Sequence, residues 1–263
     1  MTSDDERLYY EHESLWTRPL AEREELRLNQ TLDLMPMTAA SMLDIGAGSG
    51  EFIRLLRQRR PLGLLPVSMD VSRAALLAAG NAPAVQASAA ALPFRSRSFD
   101  IVIACEVIEH LPDAVLASAV AEMARVAALH VVLTVPNRED LRAGTATCPR
   151  CRTTFHKNRH HHSFAPSDLS ALVPGFAVAT ISELGPVEAF YPYAIQRLIR
   201  RARGAAARLG VCPECGLSDQ PAVAAAETAS STPRRPSNLR RLALAPIPRR
   251  SRKPWLAAVY ERM

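Results

Sequence analysis

The 263-residue sequence lacks the segments that direct a chain into a membrane or out of the cell. No apolar run approaches the roughly 18 residues that span a bilayer. The N-terminal residues 1–7 are acidic, whereas a signal peptide begins basic and then becomes apolar. With a composition that is 48% hydrophobic and 22% charged, these absences predict a globular cytoplasmic protein.

Lysine and aromatic residues are also scarce. Only Lys157 and Lys253 are lysines among 32 cationic residues, and aromatic residues make up 5% of the chain. The net charge of +6 comes from residues 195–263, which carry 14 Arg and Lys against 4 Asp and Glu. A basic tail is typical of a nucleic-acid-binding arm or of a solvated surface. Because residues 197–252 contain no aromatic side chain for base stacking, the sequence argues against a nucleic-acid partner.

The cysteines are few, and their pattern excludes a disulfide-stapled miniprotein. Four of the five form two Cys-x-x-Cys pairs, which favour a metal over a disulfide in a chain without a secretion signal. Two residues between two thiolates let a tight turn aim both sulfurs at one tetrahedral Zn²⁺. The sequence predicts a structural zinc at Cys148, Cys151, Cys212 and Cys215. The alternatives are a site that adds His156 or His160 to one pair, a redox pair, or free thiols.

Apolar strands and amphipathic helices alternate in the first half of the chain, which predicts an α/β fold with a doubly wound sheet. Strands are expected at 41–45, 64–70, 84–87, 99–105 and 130–135, and helices at 51–59, 72–79 and 112–127. A short helix at 166–168, a strand at 176–181 and a basic helix at 191–209 follow. A final strand at 255–260 would return the chain to the sheet.

A glycine-rich turn follows the first predicted strand. Gly46, Gly48 and Gly50 stand between a strand and a helix, where the backbone can approach a ligand closely. Asp44 precedes them, and Asp70 ends the next strand, where a carboxylate can accept both hydroxyls of a ribose. The arrangement predicts a nucleoside site rather than a plain strand-to-helix turn.

Four motifs between residues 40 and 136 together resemble the class I S-adenosylmethionine-dependent methyltransferases, of the type 11/12-like group. They are Leu-Asp-Ile-Gly-Ala-Gly-Ser-Gly at 43–50, the Asp70 strand end, Ala-Leu-Pro-Phe at 91–94 with Ser-Phe-Asp at 98–100, and Glu-Val-Ile-Glu-His-Leu at 106–111. The resemblance implies that the glycines lie under the methionine part of the cofactor, with Asp44 near its amino group and Asp70 on its ribose. It also implies cofactor contacts from Ala47, Val71, Ser88, Ala89 and Cys105. Ser88 departs from the family, which usually has an acid there that reads the adenine.

The resemblance predicts a Rossmann-like, doubly wound, seven-stranded sheet with an inserted zinc-binding subdomain. The expected segments are an N-terminal helical cap (1–35), the cofactor-binding core (36–136), a Cys/His-rich insertion (137–165), a core continuation (166–184), a basic helix with the second cysteine pair and a flexible linker (185–252), and a C-terminal core strand (253–263).

Glu106, Glu109 and His110 follow the fourth predicted strand, at the edge where doubly wound folds hold substrates. Two carboxylates and an imidazole in one short segment can point into one cleft, as a divalent cation requires. The string resembles metal-dependent O-methyltransferases of the ubiquinone pathway and small-RNA 2′-O-methyltransferases, which implies one more histidine from the next loop. That loop offers His156, His160, His161 and His162. Resemblance to sugar and natural-product methyltransferases selects His160, and resemblance to the RNA enzymes selects His162.

The sequence therefore predicts a methyltransferase that acts on a hydroxyl of a small molecule or sugar in secondary metabolism. Mg²⁺ or another divalent cation would assist it, with chemistry on Glu106, Glu109, His110 and His160. Without a metal, the acid holds a helix terminus and a histidine acts as base or packs. Three alternatives stay open: a metal-independent N- or C-methyltransferase of a natural product, an RNA 2′-O-methyltransferase, and a non-catalytic zinc-dependent binding protein.

Overall fold

A computed structural model describes residues 9–36, 38–59, 63–80, 83–203, 210–217 and 249–263. The first half of the chain alternates helix and strand: α1 (Glu22–Leu34), β1 (Ser41–Ile45), α2 (Glu51–Arg59), β2 (Leu65–Asp70), α3 (Arg73–Ala79), β3 (Ala84–Gln86), β4 (Phe99–Cys105), α4 (Asp113–Val126) and β5 (Ala127–Pro136). Short 3-10 turns lie at Glu13–Leu15 and Ile108–His110.

The second half of the chain contains shorter elements. They are α5 (Leu141–Gly144), β6 (Thr145–Thr147), β7 (Thr154–His156), α6 (Pro166–Leu169), β8 (Phe176–Leu184), β9 (Glu188–Phe190), α7 (Tyr193–Arg203), β10 (Arg250–Arg252) and β11 (Trp255–Arg262). Among the described residues, no helix has the length and apolar character that crossing a membrane requires.

Seven strands form one sheet in the order β3-β2-β1-β4-β5-β11-β8. The first five pair in parallel, and β11 pairs antiparallel with both β5 and β8. Strand order reverses between β1 and β4, and their carboxyl ends open a crevice at that point. The predicted seven-stranded doubly wound sheet is confirmed, including the return of the last strand.

Both faces of the sheet are covered, because alternate side chains of the central strands enter two different cores. Ile101 and Ile103 of β4 pack in the core that contains residues of α1 and α2. Val102 and Ala104 of the same strand pack in the core that contains residues of α4. Burial on both faces explains why residues 101–105 of β4 are continuously apolar instead of alternating.

The insertion at 137–165 contains a helical turn and a two-stranded hairpin, β6 with β7, that the sequence analysis did not predict. Strands of three residues are too short to show a periodicity, and the same holds for the β9 and β10 pair. Of the predicted cap, basic helix and linker, residues 1–8, 204–209 and 218–248 lie outside the described residues.

Candidate active site

A large cavity opens at the carboxyl ends of the parallel strands, where β1 and β4 diverge. Its volume is about 1490 Å³. Small-molecule sites are typically about 300–1,000 Å³, so this cavity has room for a cofactor and an acceptor together. Of the predicted cofactor-binding residues, the cavity is lined by Gly46, Asp70, Val71, Ser88, Ala89 and Cys105. Burial raises the pKa of the Cys105 thiol to about 12, so this cysteine stays protonated.

The glycine turn between β1 and α2 depends on left-handed backbone geometry. Gly46, Gly48 and Gly50 have φ of 68°, 53° and 76°, a region that favours glycine. A Cβ on Gly46 would lie 2.4 Å from Val107 Cγ2, and one on Gly48 would lie 3.1 Å from the Trp16 ring. The turn therefore packs closely against the segment after β4 on one side and the N-terminal segment on the other.

Asp70 presents its carboxylate to the cavity at the end of β2. Its Oδ2 accepts from Gly48 N at 3.0 Å, and its Oδ1 accepts from Ser72 N at 2.9 Å. Each carboxylate oxygen has capacity for a further hydrogen bond, so both remain able to accept hydroxyls. The two backbone donors fix the orientation of the carboxylate, although burial raises its pKa.

Asp44 lies behind the cavity wall and is 1% exposed. Its Oδ2 has no hydrogen-bond partner among the described residues. Burial and the nearby Asp70 raise the pKa of Asp44 to about 8. A nearby cationic group stabilises the ionised form of a buried carboxylate that lacks hydrogen-bond partners. The methionine part of the predicted cofactor carries an ammonium.

The N-terminal segment 9–20 is attached beside the cavity, next to Asp70. The Tyr10 carbonyl accepts from Trp16 Nε1 at 2.8 Å and from Ser72 Oγ at 2.7 Å. The Glu11 carboxylate accepts from the amides of residues 73 and 74, both at 3.0 Å. These bonds join the segment to the start of α3, directly after Asp70.

Glu109, His110 and His160 form a cluster whose ligand atoms all lie within 4.8 Å of one another. Glu109 is completely buried, and neither carboxylate oxygen has a hydrogen-bond partner among the described residues. Burial and the nearby Glu106 raise the pKa of Glu109 well above its usual range. Burial and neighbouring histidines, His160 first, lower the pKa of His110 to about 3, so His110 is neutral. One carboxylate and two imidazoles make a donor set that fits a divalent cation.

Glu106 and His162, also predicted as ligands, point elsewhere. Glu106 has φ of 57°, and its Oε2 accepts from Trp255 Nε1 at 2.7 Å. Its other oxygen lies 3.9 Å from Arg27 Nη1. His162 Nε2 contacts the Leu111 carbonyl at 2.8 Å. Of the histidines that the sequence offered, the structure brings His160 to the cluster.

Glu139 also belongs to this region, and the sequence analysis missed it. Its Oε2 contacts His160 Nδ1 directly, and its Oε1 lies 3.5 Å from His156 Nε2. Burial acts to raise its pKa, but hydrogen bonds with the two histidines outweigh it and lower the pKa of Glu139 to about 2. Its position just after β5 could have indicated that it lies near the site, because the carboxyl ends of parallel strands meet at the same edge of the sheet.

The four predicted zinc-ligand cysteines meet in a second cluster, apart from the cavity wall. Sγ of Cys148 lies 3.6 Å from Cys215, and Sγ of Cys151 lies 3.5 Å from Cys212. A tetrahedral zinc with bonds of about 2.3 Å separates its sulfurs by about 3.8 Å, close to both distances.

The two cysteine pairs form turns of the same geometry. In each turn the first cysteine's carbonyl accepts from the fourth residue after it, at 3.0 Å: Arg152 in one turn and Gly216 in the other. Both of those residues are left-handed, with φ of 66° and 68°. Equivalent turns that face each other are the arrangement that a four-thiolate metal site requires.

Comparison with known proteins agrees with the fold. Residues 43–132 match the family model described as Methyltransferase domain. No curated protein sequence matches the chain. A chain of the Haloferax volcanii complex between the Trm112 methyltransferase activator and a methyltransferase superposes with a TM-score of 0.58 at 14% identity, over 100% of this chain and 97% of that one.

Two further structures share the fold. A methyltransferase from Bacillus halodurans C-125 has a TM-score of 0.52 at 15% identity, over 89% of this chain and 97% of that one. Magnesium protoporphyrin IX methyltransferase from Synechocystis PCC 6803, solved with bound S-adenosylmethionine, has a TM-score of 0.50 at 14% identity, over 71% and 92%. Residues 43–132, which include the glycine turn, therefore match a methyltransferase domain, and the sheet has the fold of these methyltransferase structures.

Proposed function

We propose that the protein transfers the methyl group of S-adenosylmethionine to a hydroxyl of a small molecule, with a divalent cation held by Glu109, His110 and His160. The observation that carries this proposal is the Glu109 carboxylate, which is 0% exposed and has both oxygens without a hydrogen-bond partner among the described residues. An ionised carboxylate is costly to bury unless a cation neutralises it. The imidazoles of His110 and His160 beside it would supply the remaining ligands.

The cofactor would lie across the glycine turn with its ribose on Asp70. Asp44 would face its ammonium, and Ser88 and Ala89 would border its base. Trp16, which packs on Gly48, would close the methionine side. The attachment of segment 9–20 at α3 supports the proposal that this segment is a lid over the bound cofactor.

Replacing Asp70 by asparagine is expected to weaken cofactor binding by about 10- to 100-fold. The amide nitrogen cannot accept a ribose hydroxyl, and hydrogen bonds to charged groups contribute about 1.5–3 kcal/mol. Isothermal titration calorimetry with S-adenosylhomocysteine measures the change. Asp33→Asn is the matched control. Asp33 lies on α1, and its exposed carboxylate pairs with Arg59 of α2. Equal affinity of Asp70→Asn and wild type would place the ribose elsewhere.

Methyl transfer forms a bond from the acceptor oxygen to the methyl carbon as the carbon–sulfur bond of the sulfonium breaks, so the acceptor must be held in line with the methyl group. S-adenosylhomocysteine leaves as the thioether, and the hydroxyl proton passes to solvent. S-adenosylmethionine supplies the activated methyl group. A bound divalent cation supplies positive charge that lowers the pKa of a nearby hydroxyl. The protein would hold the acceptor in the cavity, place the His110 and His160 imidazoles beside Glu109, and limit water through the segment 9–20.

The charges along the cavity favour a small molecule over RNA. Arg18 pairs with Glu24 at 2.8 Å, and Arg23 lies 3.3 Å from Glu188. Arg27 donates to Thr134 Oγ1 at 3.1 Å. Arginines already paired within the protein do not form the basic track that a phosphate backbone requires. The wall also contains the aromatic rings of Trp255 and Phe190, which suit an apolar acceptor.

The four-cysteine cluster is proposed to hold a structural zinc that fixes the insertion. Its support is the pair of matching turns and the sulfur separations. No open ligand position is needed there, because four thiolates complete a tetrahedral site.

Chelation of the catalytic cation is expected to lower turnover of a vicinal-diol acceptor by about 100-fold or more. The reason is that an alcohol or phenol is poorly ionised at neutral pH without nearby positive charge. The measurement is methyl transfer to a panel of diols and matched amines after brief EDTA treatment, followed by addition of Mg²⁺ or Mn²⁺. Mass spectrometry of zinc content shows whether the cysteine cluster keeps its metal.

If Mg²⁺ or Mn²⁺ restores methyl transfer while the zinc content stays constant, the result supports the proposal. Full activity in EDTA would instead establish metal-independent transfer. Methylation of the amines alone would contradict a hydroxyl acceptor.

A further inference from the structure

We infer that Glu139 is a positioning residue that sets the tautomer and orientation of His160, so that His160 Nε2 presents its lone pair to the cluster with Glu109 and His110. The inference rests on the proposed cation site. It assigns a role to a carboxylate that touches neither the proposed cofactor position nor the cation, and it links the insertion to the site.

The hydrogen bonds determine where the protons lie. The backbone N–H of His160 donates to His156 Nδ1 at 3.1 Å, so this atom is an acceptor. The His156 ring proton therefore resides on Nε2, which lies 3.5 Å from Glu139 Oε1. The other oxygen of Glu139 contacts His160 Nδ1, which must donate because an ionised carboxylate only accepts.

If His160 binds a cation through the lone pair of Nε2, its ring proton lies on Nδ1, the atom that contacts Glu139. A histidine that binds a metal usually donates its other ring N–H to a carboxylate, which fixes the ring and makes the ligand more basic. Glu139 is such a carboxylate, because it contacts Nδ1 of His160. Glu139, His156 and His160 also have ligand atoms within 4.8 Å of one another, and in this group the Glu139 carboxylate contacts His160 directly.

Packing holds the pair of histidines in place. The rings of His156 and His160 stack with centroids 4.9 Å apart, and His110 meets His160 edge to face at 4.6 Å. A Cβ on Gly144 would lie 1.8 Å from His156 Nε2. His156 therefore occupies space that exists only because residue 144 is glycine, and its ring stacks on that of His160.

The test measures Mn²⁺ binding to zinc-loaded protein by electron paramagnetic resonance of free Mn²⁺. Glu139→Gln is expected to raise the dissociation constant by about 10- to 100-fold, the usual effect of removing an outer partner of a metal ligand. Gly144→Ala displaces His156 and leaves Glu139 intact. We expect it to raise the Mn²⁺ dissociation constant as well. Asp140→Asn is the matched control, since this neighbouring carboxylate is exposed and pairs with Arg142.

Calorimetry with S-adenosylhomocysteine on the same samples reports folding and the cofactor site, and we expect wild-type affinity in all three variants. Wild-type Mn²⁺ affinity in Glu139→Gln would overturn the inference. Complete loss of Mn²⁺ binding, equal to that of Glu109→Gln, would also overturn it, because Glu139 would then be a ligand. Absence of Mn²⁺ binding in the wild type, with cofactor binding intact, would remove the proposed cation site and this inference with it. Absence of cofactor binding would contradict the methyltransferase function itself.

Discussion

Glu109→Gln is expected to lower the rate constant for methyl transfer by at least about 100-fold, while cofactor affinity stays unchanged. Outer-shell substitutions at metal sites cost roughly 10- to 100-fold, and loss of the single carboxylate in the donor set costs more. Steady-state kinetics with a diol acceptor measure the rate constant. Calorimetry with Mn²⁺ and with S-adenosylhomocysteine separates loss of the cation from loss of the cofactor.

The variant is also expected to keep its fold. Burial raises the pKa of Glu109, so in the absence of a cation the carboxyl is favoured in its neutral form, which has the same shape as an amide. Glu261→Gln is the matched control, because this glutamate is exposed near the end of β11. A Glu109→Gln protein with wild-type turnover would show that the buried carboxyl has a structural role and that no cation acts there.

Replacing Cys148 by serine is expected to release the metal from the four-cysteine cluster and to lower turnover by at least about 10-fold. Cys148 begins the turn that joins β6 and β7, and His156 ends β7. Loosening this hairpin therefore moves His156 and, through it, His160. The measurements are zinc content by mass spectrometry, limited proteolysis of the insertion, and Mn²⁺ affinity.

The central sheet is expected to survive this substitution. The cluster packs in its own small apolar core with Ala146, separate from the cores that cover the sheet. Thr147→Ala is the matched control, since it removes an exposed hydroxyl pair with Thr154 from the same hairpin and leaves all four sulfurs in place. Protein isolated with two disulfides and no zinc would contradict the structural-zinc proposal.

The sequence predicted those parts of the fold that have a strong local signal. The strand at 99–105 is a bounded, β-branched run, and the glycine turn requires left-handed residues that few other sequences supply. The C-terminal strand was also predicted, because residues 255–260 are apolar throughout and are buried in the sheet. Such elements are specified by their own residues.

The site depends instead on backbone turns and distant contacts. Glu106 and Glu109 stand in one short motif, yet the left-handed backbone at Glu106 directs its side chain to Trp255, which is 149 residues away. Arg159 is also left-handed, with φ of 61°, immediately before His160. No periodicity in the sequence specifies which of three consecutive histidines such a turn will bring to Glu139.

The place of β11 in the sheet sets an order of events on the ribosome. This strand follows all the other described strands in sequence, but it lies between β5 and β8 and is the strand that joins β8 to the sheet. At about 5–20 residues per second, the residues after β5 take several seconds to emerge. During that time the cofactor-binding strands can pair while β5 keeps an open, apolar edge, the kind of edge that recruits other chains. The nascent protein therefore exposes this edge until β11 has emerged, after the parallel strands have had time to pair.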